Sequence, residues 1–312
     1  MSFRGKLFTA FTRTTQNINP IAHPDAIAKM KKMSQGYLND KIPKGCRLGK
    51  YCTAHGARYE IVARNGRKNR KYLYYLHGGA YVTGLLSMYR DFAMGLSDNI
   101  TAVLLDYRLA PEYQYPTQLN EACDVWNDLT QRRGIRPEDI IIGGDSSGGN
   151  LTLALLLKLR DEGQKLPCGC FLLSPWTDMQ MSGQSYTTHY GDDAQIGERK
   201  AVLTEEKRRH LIHSDLFCFV GSADRTHPYV SPLYGAYDGF PPTFFCVGEH
   251  EMLLDDTLAV KAKMDAAGIP TILEEQPKMF HTYILCQNAM PESRRSYARL
   301  SAFVDSLLCK GE

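Results

Sequence analysis

The chain has 312 residues, of which 43% are hydrophobic and 23% charged, and a formal net charge of +3 at pH 7. These totals provide for a large core and exclude disorder, and so small a charge argues against a nucleic-acid partner. No run reaches the ~18 apolar residues of a membrane span, so stable membrane insertion is not expected. The nine cysteines lack paired zinc-type spacing and read as free thiols of a reducing compartment, which makes the chain cytoplasmic by expectation.

Residues 1–45 carry one amphipathic helical pattern, around PDAIAKMKKMSQGYL, and no clear strand. The basic run ARNGRKNRKY surrounds Asn65-Gly66 between two strand-like stretches and reads as a solvated hairpin turn. Apolar strand candidates then follow at Tyr72–Leu76, Ile100–Asp106, Asp139–Gly143, Gly169–Leu173, Thr243–Val247 and Thr271–Glu275. Helical patterns lie between several of them. PTQLNEACDVWNDLTQRRG places Leu119, Ala122, Cys123, Trp126 and Leu129 on one face and stops at Gly134; a second pattern runs from Leu253 to Ala267 and stops at Gly268.

Strands alternating with helices predict an α/β fold with a mainly parallel sheet covered on both faces. Two segments break the alternation, 1–45 and 182–222. Inserts of this kind are expected over the C-terminal edge of the sheet, where open α/β sheets bind ligands. Together they predict a helical cap on a catalytic domain formed by 46–181 and 223–312.

The chemistry concentrates at strand ends. Gly144-Asp145-Ser146-Ser147-Gly148 fits G-x-S-x-G between a strand and a helix, the context in which a serine nucleophile projects from a sharp turn. Glycines two residues to either side relieve the crowding that such a turn creates, and the following helix aims free N–H groups at developing negative charge. After another strand, His77-Gly78-Gly79-Ala80 offers backbone N–H groups that can approach a substrate oxygen; Gly78, Gly79 and Ser147 are the expected oxyanion donors. This turn type orders its partners serine, acid, histidine. His281 lies just past the last strand candidate and is the expected base. Among the acids of GEHEMLLDD, Glu251 is near enough to a strand end to reach it, with Asp255 as the alternative; Asp255 and Asp256 suit the first turn of the next helix. Tyr81 and Trp176 follow strand ends and are candidates for lining a pocket, core packing being the competing role. No metal site is expected: His210 and His213 lack a supporting carboxylate or cysteine set, and HEMLL at His250 lacks the second histidine of HExxH.

On these residues the chain resembles the hormone-sensitive-lipase-like family of α/β-hydrolase esterases. The motifs that carry the resemblance are His77-Gly-Gly-Ala80, DYRLAPE at 106–112 with Pro116, GDSSGGN at 144–150, SPWTD at 174–178, VSPLYG at 230–235, the Glu251-x-Leu253-x-Asp255 run and His281. The resemblance implies an eight-stranded, mostly parallel sheet with a helical cap, and a cofactor-free carboxylesterase acting on small esters of short to medium acyl chains. It also implies Ser146, Glu251 and His281 as the catalytic residues, an edge-strand homodimer, and Asp106, Tyr107 and Arg108 as a brace for the active-site loops. Ala80, Ser147 and Glu251 depart from the residues commonest in the family at those places, which leaves the substrate range open. The same residues would also serve an amide, carbamate or formamide hydrolase. A non-catalytic binder on this fold is the reading from another class.

Overall fold

The computed structural model describes residues 1–37 and 39–308; Leu38, the end of the expected N-terminal helix pattern, and the last four residues lie outside them. All six strand candidates form, with ends shifted by no more than two residues: β3 (Lys71–Leu76), β4 (Ile100–Asp106), β5 (Ile140–Asp145), β6 (Gly169–Leu173), β7 (Thr243–Gly248) and β8 (Thr271–Gln276). Two strands precede them, β1 (Cys46–Cys52) and β2 (Arg58–Arg64). The sheet order is β1-β2-β4-β3-β5-β6-β7-β8. β1, β2 and β4 pair antiparallel, and every pair from β4–β3 to β7–β8 is parallel. β2 is the strand-like stretch before the basic run, whereas β1, CRLGKYC, has no apolar run and is half exposed. It is a strand because β2 offers it a free edge. The Asn65-Gly66 turn is present, with Gly66 at φ +73°, but it is not a hairpin turn. β4 lies between the strands that it joins.

Period-2 alternation sends neighbouring side chains to opposite faces, and both faces are buried. Tyr74, Leu76, Ile140, Ile142 and Leu172 pack under α4 (Thr117–Asn127), α5 (Ser147–Asp161) and α8 (Leu254–Ala266). Leu73, Tyr75, Ile141, Phe171 and Leu173 pack under α3 (Met88–Gly95) and α9 (Pro291–Leu308). The five residues expected on one face of α4 and its continuation are all buried, and Gly134 ends that segment at φ +68°.

The segments that break the alternation form α1 (Phe3–Phe11), α2 (Ala26–Tyr37), α6 (Ser185–Thr188) and α7 (Glu205–Ile212). They are joined by polar contacts with backbone groups. Ile18 N–H donates to Gln195 O at 2.8 Å, Asn17 Nδ2 to Ala194 O at 3.1 Å and Gly197 O at 2.8 Å, and Asn19 Nδ2 to Ile196 O at 2.9 Å. Among the described residues no helix is long and apolar enough to cross a membrane.

A buried ion pair ties the first segment to the sheet. Arg90 grips Glu60 through two bonds of 2.6 and 2.7 Å, and its remaining nitrogen donates to Asn39 O at 2.6 Å and Lys41 O at 2.9 Å. Removing the guanidinium leaves a carboxylate and two carbonyls without partners. Arg90→Leu is expected to destabilise the protein by about 3–5 kcal/mol, read as a lower urea midpoint at unchanged m-value.

Candidate active site

β5 ends at Asp145 and α5 begins at Ser147, so a single residue makes the turn between them. Ser146 holds φ 53°, ψ −120°, which costs about 1–3 kcal/mol for a residue with a Cβ and persists only where the surroundings fix it. They do so from both sides. Its N–H donates to Leu173 O at 2.8 Å, and its carbonyl accepts from Trp176 N–H at 3.1 Å. A Cβ at Gly148 would collide with the backbone of Leu76 and His77, and one at Gly144 with Leu76 O and Gly148. Both glycines of the motif are therefore required by the close approach of the turn to the end of β3.

The histidine comes from the loop after β8. His281 Nε2 lies 2.9 Å from Ser146 Oγ, and Nδ1 lies 3.1 Å from Glu251 Oε2. A carboxylate only accepts, so Nδ1 carries the proton and Nε2 is left to accept from the serine hydroxyl. The other oxygen of Glu251 accepts from Gly248 N–H at 2.5 Å and from Ser174 Oγ at 2.8 Å. Burial works against the charged form of His281. The hydrogen bond and charge of Glu251, with the charges of Asp193 and Asp145, outweigh it and hold the imidazole above its ordinary range. Burial likewise raises Glu251, opposed by His281. Asp255, the alternative acid, accepts from Ser185 N–H at 2.8 Å, and with Asp256 it occupies the first turn of α8.

Two expectations are corrected. Gly78 was expected to offer its N–H to a substrate oxygen, but that N–H donates to Asp145 Oδ1 at 2.9 Å and Gly78 does not line the cavity. Gly79 and Ala80 line it instead, and among the described residues their N–H groups have no protein acceptor. Ser147 is the first residue of α5, where an N–H has no intrahelical partner. Tyr81 was a pocket candidate, yet it is buried, donates to Asn150 Oδ1 at 2.7 Å and stacks on Phe219 at 4.2 Å. Trp176 does line the cavity.

The resemblance implied Asp106, Tyr107 and Arg108 as the brace of the loop 77–81; of these only Tyr107 braces it, together with Ala110. Tyr107 Oη donates to His77 O at 2.8 Å, its ring stacks on the His77 ring at 4.1 Å, and Ala110 N–H donates to Tyr81 O at 2.9 Å. Burial pushes the His77 imidazole down to about 4, so it remains neutral. Asp106 and Arg108 turn away, pairing with Arg58 at 3.3 Å and with Glu121.

Three residues of the site had no signal that singled them out. Asp145 accepts from Tyr75 Oη at 2.8 Å and Tyr89 Oη at 3.2 Å in addition to Gly78. Ser174, at φ 47°, bonds Glu251 and accepts from Thr282 N–H at 3.1 Å. Asp193, from the insert, is fully buried and accepts from the N–H groups of Met252 (3.0 Å), Gln195 (2.9 Å) and Ile196 (3.2 Å). Ser174 lies in SPWTD and its partner Glu251 in the Gly-Glu-His-Glu loop, but which polar atoms face each other is decided by the loops' approach in space.

Ser146 and His281 face a cavity of about 450 Å³ whose walls are chiefly apolar, among them Trp176, Phe217, Leu211, Met181, Phe280 and Leu285. Thr15 to Ile18 of the first segment and Gln195 of the insert complete it. A hydroxyl within hydrogen-bond reach of a buried imidazole, at an apolar chamber, is an arrangement able to transfer acyl groups.

Comparison with known proteins agrees. Residues 73–285 match the model of an alpha/beta hydrolase fold family. An acetyl-hydrolase of Streptomyces hygroscopicus is 32% identical over 263 residues, 84% of this chain and 82% of that protein. An esterase of Acinetobacter venetianus is 31% identical over 237 residues, 75% of each. Among solved structures, EstE5 soaked with p-nitrophenyl butyrate superposes with a TM-score of 0.85 at 27% identity, covering 99% of this chain and 100% of that one. An esterase of the bacterial hormone-sensitive lipase family gives 0.82 at 27% identity, covering 99% of each. The fold and its relatives define a carboxylic ester hydrolase that acts on small-molecule esters. The chain belongs to the alpha/beta hydrolase family, among the esterases related to bacterial hormone-sensitive lipase.

Ser174 supports Glu251 directly and, through Thr282 N–H, the loop that carries His281. Its hydrogen bond to a carboxylate is of the kind worth about 1.5–3 kcal/mol, so Ser174→Ala is expected to lower kcat for p-nitrophenyl butyrate about tenfold or more. KM should stay within about twofold, since no contact with substrate is lost. Initial rates across a range of substrate concentrations check both numbers.

Proposed function

We propose that the protein is a serine carboxylesterase for short- to medium-chain acyl esters, working through an acyl-enzyme with Ser146 as nucleophile, His281 as base and Glu251 as the orienting acid. The observation that carries this reading is the unbroken path from Ser146 Oγ through His281 to Glu251, 2.9 and 3.1 Å, at the wall of an apolar cavity. Nε2 takes the hydroxyl proton as Oγ bonds to the ester carbonyl carbon. The carbonyl electron pair moves onto oxygen, where the N–H groups of Gly79, Ala80 and Ser147 receive it. The imidazolium, steadied by Glu251, returns the proton to the alcohol oxygen as that bond breaks. Water then repeats both steps on the acyl-serine and releases the acid.

Support for the donor set comes from the free N–H groups of Gly79 and Ala80 and from the engagement of Gly78 with Asp145. The acyl-length range is supported by the cavity, whose size is at the lower end of small-molecule sites. Residues 1–45 and 182–222 act as a cap, a reading supported by the hydrogen bonds between them and by their share of the cavity wall. The cytoplasmic placement rests on nine cysteines without the spacing of a disulfide framework.

Ser146→Ala should abolish p-nitrophenyl butyrate hydrolysis, with kcat down by about 10⁴ or more, and leave the circular dichroism spectrum and melting midpoint near the parent's. Turnover within about tenfold of the parent would remove Ser146 from the mechanism. An acyl adduct on Ser146, seen by intact-mass spectrometry after acid quench, checks the covalent step.

The pH profile follows from the direction of the His281 shift. A base must be neutral to accept a proton, and its partners hold the imidazole above the ordinary ~6.5. The acid limb of kcat/KM should therefore fall at a pH above 6.5. Glu251→Gln removes the charge that stabilises the imidazolium, so the limb should move to lower pH while kcat drops by about 10⁴. A limb that stays in place in this variant would assign the titration to another group.

A further inference from the structure

α1 presents an apolar stripe to solvent beside the cavity. At about 100° per residue, Phe3, Leu7, Ala10 and Phe11 fall on one side of the helix, with Arg4 at one edge of the stripe and Lys6 at the other. Phe3, Leu7 and Phe11 are 76%, 57% and 49% exposed. The opposite side holds Gly5 and Phe8 and continues to Thr12, and it packs inward. Phe8 stacks on Phe280 at 6.4 Å, and the hydroxyl of Ser2 donates to the buried Glu292 of α9 at 2.9 Å. The helix is thus anchored by one face, and its large apolar side chains lie on the other.

Charge selects the occupant. Residues 1–24 include Arg4, Lys6 and Arg13 and no carboxylate. Arg13 and the N–H of Lys200 both bond Gly191 O, at 3.1 and 3.3 Å, which brings the exposed Arg199, Lys200 and Val202 of the insert beside the end of α1. Asp192 is exposed there too and offsets part of this charge. A second copy of the same face would set basic edge against basic edge. An anionic lipid surface matches both the apolar stripe and its rims.

We propose that α1, with the adjoining Arg199–Val202 corner of the insert, docks this esterase reversibly on anionic lipid–water interfaces. Phe3, Leu7 and Phe11 enter the headgroup boundary, while Arg4 and Lys6 meet the lipid phosphates. The docked face adjoins the cavity. Thr15 and Gln16, in the turns after α1, line it, as does Phe280, the residue before His281. Docking therefore sets the chamber against a phase in which amphiphilic acyl esters accumulate. The purpose of docking rests on the esterase reading, but docking itself is measured without turnover.

The test is flotation of the full chain with mixed phosphatidylglycerol–phosphatidylcholine vesicles and with pure phosphatidylcholine vesicles. The parent should float with the mixed vesicles and release as salt screens the charges. F3S/L7S/F11S and R4Q/K6Q should each reduce the bound fraction by about tenfold or more. Hydrolysis of p-nitrophenyl acetate by both variants, within about twofold of the parent, shows that they are folded. No flotation of the parent, equal partition onto neutral vesicles, or variants that bind as the parent does would each overturn the proposal. A sedimenting dimer that F3S/L7S/F11S converts to monomer would also overturn it, by giving the face to a second copy.

Discussion

The site depends on how closely the end of β5 passes the end of β3. Ser146 is held in a backbone region that disfavours any side chain, and the hydrogen bonds to Leu173 and Trp176 fix it there. That arrangement exists only because Gly144 and Gly148 let the turn press against Leu76 and His77. The same approach brings Gly78 to Asp145, which fixes the loop carrying Gly79 and Ala80 beside the serine. One steric constraint thus locates the hydroxyl and the backbone N–H groups of Gly79 and Ala80 together. Preorganisation of this kind is costly in local strain, and the parallel sheet with its two packed faces supplies the rigidity to hold it.

The imidazole is governed by a balance between burial and charge. Dry surroundings favour the neutral ring, while Glu251 favours the imidazolium. In the proposed mechanism neither is sufficient, since acyl transfer needs a neutral base at rest and a stabilised cation in the transition state. Ser174 and Gly248 hold Glu251, and Ser174 also holds Thr282, so a single hydroxyl aligns acid and base loops that lie far apart in the chain. Asp193 adds a further negative charge from the insert. Its carboxylate binds Met252 N–H beside Glu251, so the segment that closes the cavity also shapes the electrostatics of the base.

Enclosure and access then fall to the same pieces of chain. Asn17 and Asn19 tie the first segment to the insert through backbone carbonyls, and both segments contribute to the chamber walls. A wall built from side-chain-to-backbone bonds keeps its geometry whichever apolar residues fill it. Phe217 and Leu211 are among the apolar residues that fill this wall, apart from the groups gathered around Ser146 and His281.

Motif order put Glu251 and His281 forward as partners of Ser146, while periodicity and motif spacing were sufficient for the central strands, the helices α4 and α8 and the turn that carries Ser146. Each of these rests on a local rule, such as alternation, a glycine stop, or a turn that only glycine neighbours permit. β1 escaped because an edge strand with Arg, Gly and Lys has no apolar signature, and the Asn65-Gly66 turn looked like a hairpin because sequence does not say that β4 will lie between the strands it joins. Gly78 was misassigned for the same kind of reason. Two adjacent glycines offer equivalent N–H groups on paper, and only the position of the Asp145 carboxylate distinguishes them. Tyr81 follows a strand end as Trp176 does, but Asn150 and Phe219 draw it into the core. What the chain alone determined is which chemistry it carries. Tertiary structure decided which polar atoms are already engaged and which are left to meet a substrate, because that depends on distances between segments remote in sequence.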